Sequence, residues 1–191
     1  MWSLTERGEA SMEGASERAL IEAAQGGSEP AVEELFRRHW PDTHRAAYLI
    51  VRDAAAAEDI AQEAFLAALS ALGRFDRRRP FSPWLHRIAV NRAIDWSRAR
   101  TVRSEVAATP ALLDAVGSEP PLDESLGGSR GVEAALGALP AEQRAVVVLR
   151  YLLEYTPGEI ASVLDLPRGT INSRLRRGLD RLSGCFEREG R

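Results

Sequence analysis

Two short helical patterns joined by a tight turn, at residues 156–177, constrain this chain more than any other stretch of its sequence. Thr156 suits an N-cap, and Glu159, three residues later, completes a capping box, so the sequence predicts a helix start here. The apolar periodicity stops within residues 165–169, which include a proline and a glycine. A second helix is predicted to begin near residue 169 or 170.

The second helix has an apolar stripe and a basic, hydrogen-bonding remainder. The stripe consists of Ile171, Leu175, Leu179 and Leu182 at i, i+4, i+8 and i+11. Turned largely away from it are Arg168, Asn172, Ser173, Arg176 and Arg177, with Arg174 at its edge. This pattern is typical of a helix-turn-helix whose second helix fits a DNA major groove. An αα-hairpin with a solvated arginine face is the structural alternative.

Composition favours an all-α protein. The chain has 191 residues, 45% of them hydrophobic and 6% aromatic, and no run alternates as a strand would. The single cysteine, Cys185, cannot form an internal disulfide or a multi-cysteine zinc site. With no secretory or membrane-spanning segment predicted, we expect a cytoplasmic protein without membrane insertion.

The chain divides into two small helical domains joined by a flexible linker, with the helix-turn-helix in the second. We predict a disordered tail at 1–15, a first domain at 16–103, a linker at 104–130 rich in proline, glycine and acids, and a second domain at 131–191. Within the first domain, Pro41 is expected to break or kink a helix. Within the linker, a turn of helix is possible at 111–116.

An acidic helix is predicted to begin at Asp53. Glu58, Asp59, Gln62 and Glu63 form a patch on it. A solvated face is the ordinary interpretation of such a patch.

Residues 74–103 form a basic segment, with nine arginines against two aspartates. We expect a basic loop at 75–81, followed by a helix capped by Ser82 and started by Pro83. Arginine interleaved with aromatic residues and asparagine suits single-stranded nucleic acid. We assign Trp84 to the core and leave Trp96 open.

The two halves together resemble a bacterial RNA polymerase sigma factor of the extracytoplasmic-function group of the sigma-70 family. The resemblance covers nearly all of residues 16–185. It is carried by AEDIAQEAFLAAL (57–69), PFSPWLHRIAVNRAIDWSR (80–98), LPAEQRAVVVLRYL (139–152) and TPGEIASVLDLPRGTINSRLRR (156–177).

The resemblance implies three sets of site residues. Core RNA polymerase would bind Asp59, Gln62 and Glu63. The melted single-stranded minus-ten element would contact Arg77, Arg78, Arg79, Phe81, Arg87, Asn91, Arg92 and Trp96. The duplex minus-thirty-five element would contact Arg168, Thr170, Asn172, Ser173, Arg174, Arg176 and Arg177. The resemblance also implies an anti-sigma partner. Because the given sequence ends soon after the second helix of the helix-turn-helix, we expect no appended regulatory domain.

Two other classes of function compete with the sigma-factor interpretation. An operator-binding dimer would explain the helix-turn-helix but gives no role to the acidic patch. An enzyme is disfavoured because His39, His44 and His86 lack metal-ligand spacing and Cys185 has no histidine near it in sequence. We therefore expect no catalytic residues, no metal and no cofactor.

Overall fold

The computed structural model describes residues 14–107 and 129–189, and within those ranges all regular structure is helical. The elements are α1 (Glu17–Gln25), α2 (Glu29–Val51), α3 (Ala54–Ala71), a 3-10 turn (Leu72–Arg74), α4 (Phe81–Ala107), α5 (Ser129–Gly137), α6 (Ala141–Tyr151), α7 (Pro157–Leu164) and α8 (Arg168–Glu189). We call α1–α4 the N-terminal half and α5–α8 the C-terminal half. The all-α prediction is confirmed.

Side-chain caps begin three of these helices, and the caps at Asp53 and Thr156 lie where the sequence predicted. The Ser16 hydroxyl accepts from the Ala19 N–H at 3.3 Å, and the Asp53 carboxylate accepts from the Ala56 N–H at 3.0 Å. Thr156 and Glu159 form the reciprocal capping box at the start of α7. Each cap satisfies donors that the first helical turn leaves without intrahelical partners.

Pro41 was predicted to break or kink this helix, and the break is wrong, because α2 runs without interruption from Glu29 to Val51. Leu35 before the proline and Ile50 after it are both buried. A mid-helix proline removes one backbone hydrogen bond, but burial of both flanking segments favours the continuous helix.

Helix α4 is longer than predicted at both ends. It begins at Phe81, two residues before Pro83, where the Phe81 N–H donates to Glu17 Oε1 of α1 at 2.9 Å. The helix therefore starts before Ser82, and a side chain of α1 serves the first N–H of α4. At the other end, α4 takes residues 104–107 from the predicted linker, and α5 takes 129–130. The tail at 1–13 and the possible turn at 111–116 lie outside the described residues.

The two halves pack against each other through a shared hydrophobic core. Ala47 and Ile50 of α2 and Val90 of α4 belong to the same buried cluster as Val146 of α6 and Ile160 of α7. A second cluster lies wholly within the N-terminal half and includes Leu20, Leu35, Phe65, Phe81 and Leu85. The helices of the two halves thus meet along α2, α4, α6 and α7.

Helix α8 packs through a glycine that the predicted stripe omitted. Ile171 is fully buried and Gly178 is buried, whereas Leu179 is 39% exposed. At 100° per residue, residue 178 returns to within about 20° of residue 171, and residue 179 lies about 80° away. A Cβ on Gly178 would lie 3.1 Å from Val147 Cγ2, so the glycine permits close approach of α8 to α6. The stripe is therefore Ile171, Leu175, Gly178 and Leu182.

Candidate nucleic-acid and polymerase interfaces

The acidic patch on α3 is exposed, as a protein-binding surface requires. Asp59, Gln62 and Glu63 all lie on the solvent side, whereas Ile60 and Ala61 between them are buried. The alternation follows from helical geometry, since residues three and four apart share a face. The patch is therefore available to a basic partner.

Glu63 connects this patch to the basic helix α4. Its Oε2 accepts from Arg92 Nη1 at 3.1 Å, and both side chains remain substantially exposed. An exposed ion pair of this kind contributes about 0–1 kcal/mol, so either partner can exchange it for another ion at little cost. The candidate polymerase surface and the candidate minus-ten surface are thus adjacent.

The loop between α3 and α4 presents its arginines to solvent. Asp76 shapes the loop, because its carboxylate accepts from the Arg78 N–H at 3.0 Å and its carbonyl accepts from the Arg79 N–H at 2.9 Å. Arg77 forms an ion pair with Glu22 of α1 at 2.6 Å, while Arg78 and Arg79 are exposed. This geometry suits contacts to backbone phosphates.

Phe81, a predicted minus-ten contact, is a core residue in this structure. The structure buries it to 1% exposure, with its ring centroid 5.8 Å from that of Phe75 and 5.6 Å from that of Trp84. A ring enclosed by other aromatic rings cannot offer a face to a base, so Phe81 is a core residue and not a DNA contact in this arrangement. Trp84 packs against the same core, as expected.

The polar face of α4 lies beside the C-terminal half. Arg87 Nη2 is 3.7 Å from Asp165 Oδ2 of the turn between α7 and α8. Asn91 is half-buried and lines a cavity of about 350 Å³ together with Leu166 and Arg174. The candidate base-contacting amide therefore faces the helix-turn-helix.

Trp96 lies further along α4 and is half-buried. The Arg100 guanidinium sits over its ring at 5.2 Å, within the range of a cation–π contact. Its ring also lines the cavity between α3 and α4 that contains Asp59, Glu63 and Arg92. Trp96 is therefore only partly buried, and part of its ring remains accessible.

The candidate minus-thirty-five residues occupy the first three turns of α8. Arg168, Asn172, Arg176 and Arg177 are exposed, and the first three of them recur at intervals of four. Ser173 is partly buried and donates its hydroxyl to the Thr170 carbonyl at 2.9 Å. The exposed stripe carries guanidinium and amide groups, which are the donors that read base edges in a major groove.

Several contacts between the halves were not predicted from the sequence. His86 Nδ1 lies 2.7 Å from the hydroxyl of Tyr155, and Arg98 Nε donates to Glu142 Oε1 at 2.8 Å. Burial lowers the pKa of His86 to about 4 and raises the pKa of Tyr155. No sequence signal marks these pairs, because their partners are 69 and 44 residues apart.

Among the described residues, no group of three or more His, Cys, Asp or Glu side chains is placed to hold a metal ion. Likewise, none of the helices within 14–107 and 129–189 combines the length and apolar character needed to cross a membrane.

Comparison with protein families matches both halves of the chain. Residues 35–103 match the family described as sigma-70 region 2, and residues 129–182 match sigma-70 region 4. The first range contains the α3 patch and α4 as far as residue 103, and the second contains the helix-turn-helix.

Characterised relatives cover most of the chain. The ECF RNA polymerase sigma factor SigW of Bacillus subtilis is 33% identical over 172 residues, which are 85% of this chain and 92% of the relative. SigM of Mycobacterium tuberculosis, also an ECF sigma factor, is 35% identical over 170 residues, which are 88% and 83% of the two chains.

Solved structures share the fold. CnrH in complex with the cytosolic domain of CnrY matches with a TM-score of 0.66 at 29% identity, covering 90% of this chain and 97% of CnrH. RpoE of Bartonella quintana, solved with the anti-sigma factor NepR, also gives a TM-score of 0.66, at 22% identity and with coverages of 81% and 96%.

Proposed function

Because the chain belongs to the extracytoplasmic-function group of sigma-70 family RNA polymerase sigma factors, we propose that its three polar surfaces divide the work of transcription initiation between them. The protein binds core RNA polymerase and directs it to promoters. The α3 patch would bind the polymerase, α4 with its preceding loop would hold the melted minus-ten strand, and α8 would read the minus-thirty-five duplex.

The observation that carries this assignment is the adjacency of α3 and α4 through the Glu63–Arg92 ion pair. A strand held along α4 would lie next to the polymerase surface on α3, so docking and strand capture would occur side by side. The exposed stripe of α8 is on the other half, as a two-part promoter element requires. An operator-binding dimer gives no role to this acidic patch, and the region 2 match removes that alternative.

The proposed work on DNA is binding without bond breakage. Unpairing and unstacking one base costs roughly a few kcal/mol. Stacking of that base on an aromatic ring stabilises the complex by about 1–3 kcal/mol. Trp96 offers a partly accessible ring for stacking, and Asn91 offers an amide for a base edge. Sigma factors are initiation factors and not enzymes, so we assign no catalytic residue and no cofactor.

The packed arrangement of the halves would restrict DNA binding by the free protein. Asn91 faces Leu166 and Arg174, and Arg87 lies near Asp165, so a strand cannot follow α4 until α7 and α8 move away. We propose that polymerase binding separates the halves and sets the distance between the two promoter contacts. The free chain should therefore bind promoters poorly.

A second protein partner is also proposed. CnrH, which shares the fold at 29% identity, was solved with the cytosolic domain of another protein. An anti-sigma partner for this chain would act by covering the α3 or α4 surfaces, and the site of action would be the cytoplasm, where RNA polymerase works.

In vitro transcription from a pool of promoter fragments tests the proposal. The purified chain is assayed with and without core polymerase, beside a variant with Arg77, Arg78 and Arg79 replaced by glutamine. Transcripts that require both components and begin at a shared two-part element would support it. Binding of a symmetric duplex site by the chain alone, without directed initiation, would contradict it.

A further inference from the structure

A basic cavity of about 410 Å³ lies between the two halves. Of the residues that line it, only Trp96 also belongs to one of the three surfaces assigned above. Its polar lining consists of Arg52, Arg100 and Arg144 together with the hydroxyls of Ser97, Thr101 and Ser104. Arg52 follows α2, Arg100 and the hydroxyls belong to α4, and Arg144 belongs to α6. The volume is at the lower end of the range for small-molecule sites, roughly 300–1,000 Å³.

The three guanidinium groups are only partly neutralised. Arg52 Nη1 is 3.0 Å from Glu133 Oε2, and Arg100 Nη1 is 3.1 Å from Asp53 Oδ2. Arg144 instead donates to three backbone carbonyls, those of Ile50 at 2.6 Å, Gly137 at 3.2 Å and Leu139 at 2.8 Å. The three arginines therefore have two carboxylate partners between them, and the positive charge of Arg144 is not paired with a carboxylate.

Holding Arg144 in this position is electrostatically unfavourable. Burial, with the Arg52 charge as a second cause, lowers the pKa of the Arg144 guanidinium to about 10. An anion between Arg52 and Arg144 would relieve both effects, because it supplies the missing opposite charge.

Two buried polar atoms of the cavity lining lack hydrogen-bond partners among the described residues. They are Arg144 Nε and Ser97 Oγ, one from each half. Both can donate, and buried donors are normally satisfied, since leaving one unpaired costs about 1–3 kcal/mol in general. Acceptor oxygens are the partners that these two donors lack.

We propose that this cavity binds the phosphoryl group of a small anion, either free phosphate or pyrophosphate or the phosphates of a nucleotide. Arginine matches phosphate oxygens with charge-assisted hydrogen bonds, and the Ser97 hydroxyl supplies a further donor, whereas the hydroxyls of Thr101 and Ser104 already donate to carbonyls within α4. Since the walls come from α2, α4 and α6, a bound anion ties the halves together. Such a ligand stabilises the packed arrangement of the halves, in which α7 and α8 keep a DNA strand from binding along α4.

Isothermal titration calorimetry on the full chain tests the proposal without polymerase, so its failure is separate from failure of the proposed function. Pyrophosphate and ADP are titrated in chloride buffer of matched ionic strength. Ser97→Ala and Arg100→Gln should each weaken binding by about tenfold, because each removes a donor to a charged ligand. Arg18→Gln makes the same charge change on an exposed residue of α1 and should leave affinity unchanged.

The outcomes separate the sources of the phosphoryl group. Saturable binding of pyrophosphate but not ADP assigns the site to free phosphates, and tighter binding of ADP assigns it to nucleotides, with Trp96 beside the base. Absence of saturable heat up to about 10 mM ligand, which corresponds to very weak affinity, would overturn the proposal. So would an equal loss of affinity in Arg18→Gln, since that indicates only a general charge effect.

Discussion

His86 Nδ1 of α4 and the hydroxyl oxygen of Tyr155, in the segment before α7, lie 2.7 Å apart and join the two halves of the protein. His86 is 4% exposed and Tyr155 is partly buried, so the contact is largely shielded from water. The hydrogen bond holds the helix assigned to the minus-ten strand against the helix-turn-helix. Contacts of this kind decide how readily the halves separate.

Tyr155→Phe should destabilise the free protein by about 1–3 kcal/mol, because it leaves the buried Nδ1 of His86 without a partner. The expected result is a lower midpoint in urea denaturation. Tyr151→Phe removes the same hydroxyl from a side chain that is 60% exposed and should have little effect. Equal stabilities of Tyr155→Phe and wild type would mean that the contact contributes nothing.

Acid should weaken the fold through His86. Its pKa is about 4 in the folded protein and near 6.5 in the unfolded chain, so only the unfolded state takes up the proton between these values. The free energy of unfolding should therefore fall by about 1.4 kcal/mol per pH unit as pH drops from 6.5 toward 4, with no change from this group above that range. Denaturation at several pH values measures the slope.

His86→Gln should remove that part of the pH dependence. Burial also lowers the pKa of His39, so His39 adds to the pH dependence of stability with the same sign in wild type and in His86→Gln. The difference between the slopes of unfolding free energy against pH for these two proteins therefore isolates His86. Identical slopes would show that His86 is protonated equally in the folded and unfolded states.

Glu63→Lys should abolish polymerase binding and leave the fold intact. The substitution reverses the charge at one position of the α3 patch, while the exposed ion pair that it removes contributes only about 0–1 kcal/mol to stability. Pull-down with core polymerase measures binding, and circular dichroism measures folding. Glu33→Lys makes the same change on an exposed residue of α2 and should bind normally. Unchanged affinity of Glu63→Lys would remove the assignment of this patch.

Arg176→Ala should weaken binding of the minus-thirty-five duplex by about 1–3 kcal/mol and relax the preference at one base pair, if this exposed side chain contacts a base edge. Promoter libraries transcribed by the reconstituted holoenzyme measure that preference. Arg181→Ala, a second exposed arginine further along α8, serves as the control. A uniform loss across all sequences would reassign Arg176 to a phosphate contact.

Gly178→Leu should destabilise the protein by about 1–3 kcal/mol through overpacking, because a Cβ at this position already approaches Val147 Cγ2 to 3.1 Å. Thermal melting measures the loss. Gly169→Leu, on the same helix, should cost less, because a Cβ at that position has no neighbour within 4 Å. Similar melting temperatures for the two variants would show that α8 can shift away from α6 without loss.

Local signals in the sequence were sufficient for most helix starts and for the exposed surfaces. Asp53 and Thr156 cap the helices that were predicted to begin there, because a cap depends on groups within three residues. Asp59, Gln62 and Glu63 are exposed because helical periodicity places them opposite the buried Ile60. The role of these three residues in binding polymerase remains a prediction.

The sequence by itself determined the all-α class, the two-part organisation and the helix-turn-helix, since each rests on short-range patterns. Only the tertiary structure decided that Phe81 is buried, that Gly178 replaces Leu179 in the packed stripe and that α2 continues through Pro41. It also decided that the halves share a core and that His86 meets Tyr155 across 69 residues. Periodicity defines which face of a helix is apolar, but the partner of that face depends on shape and volume contributed by distant segments of the chain.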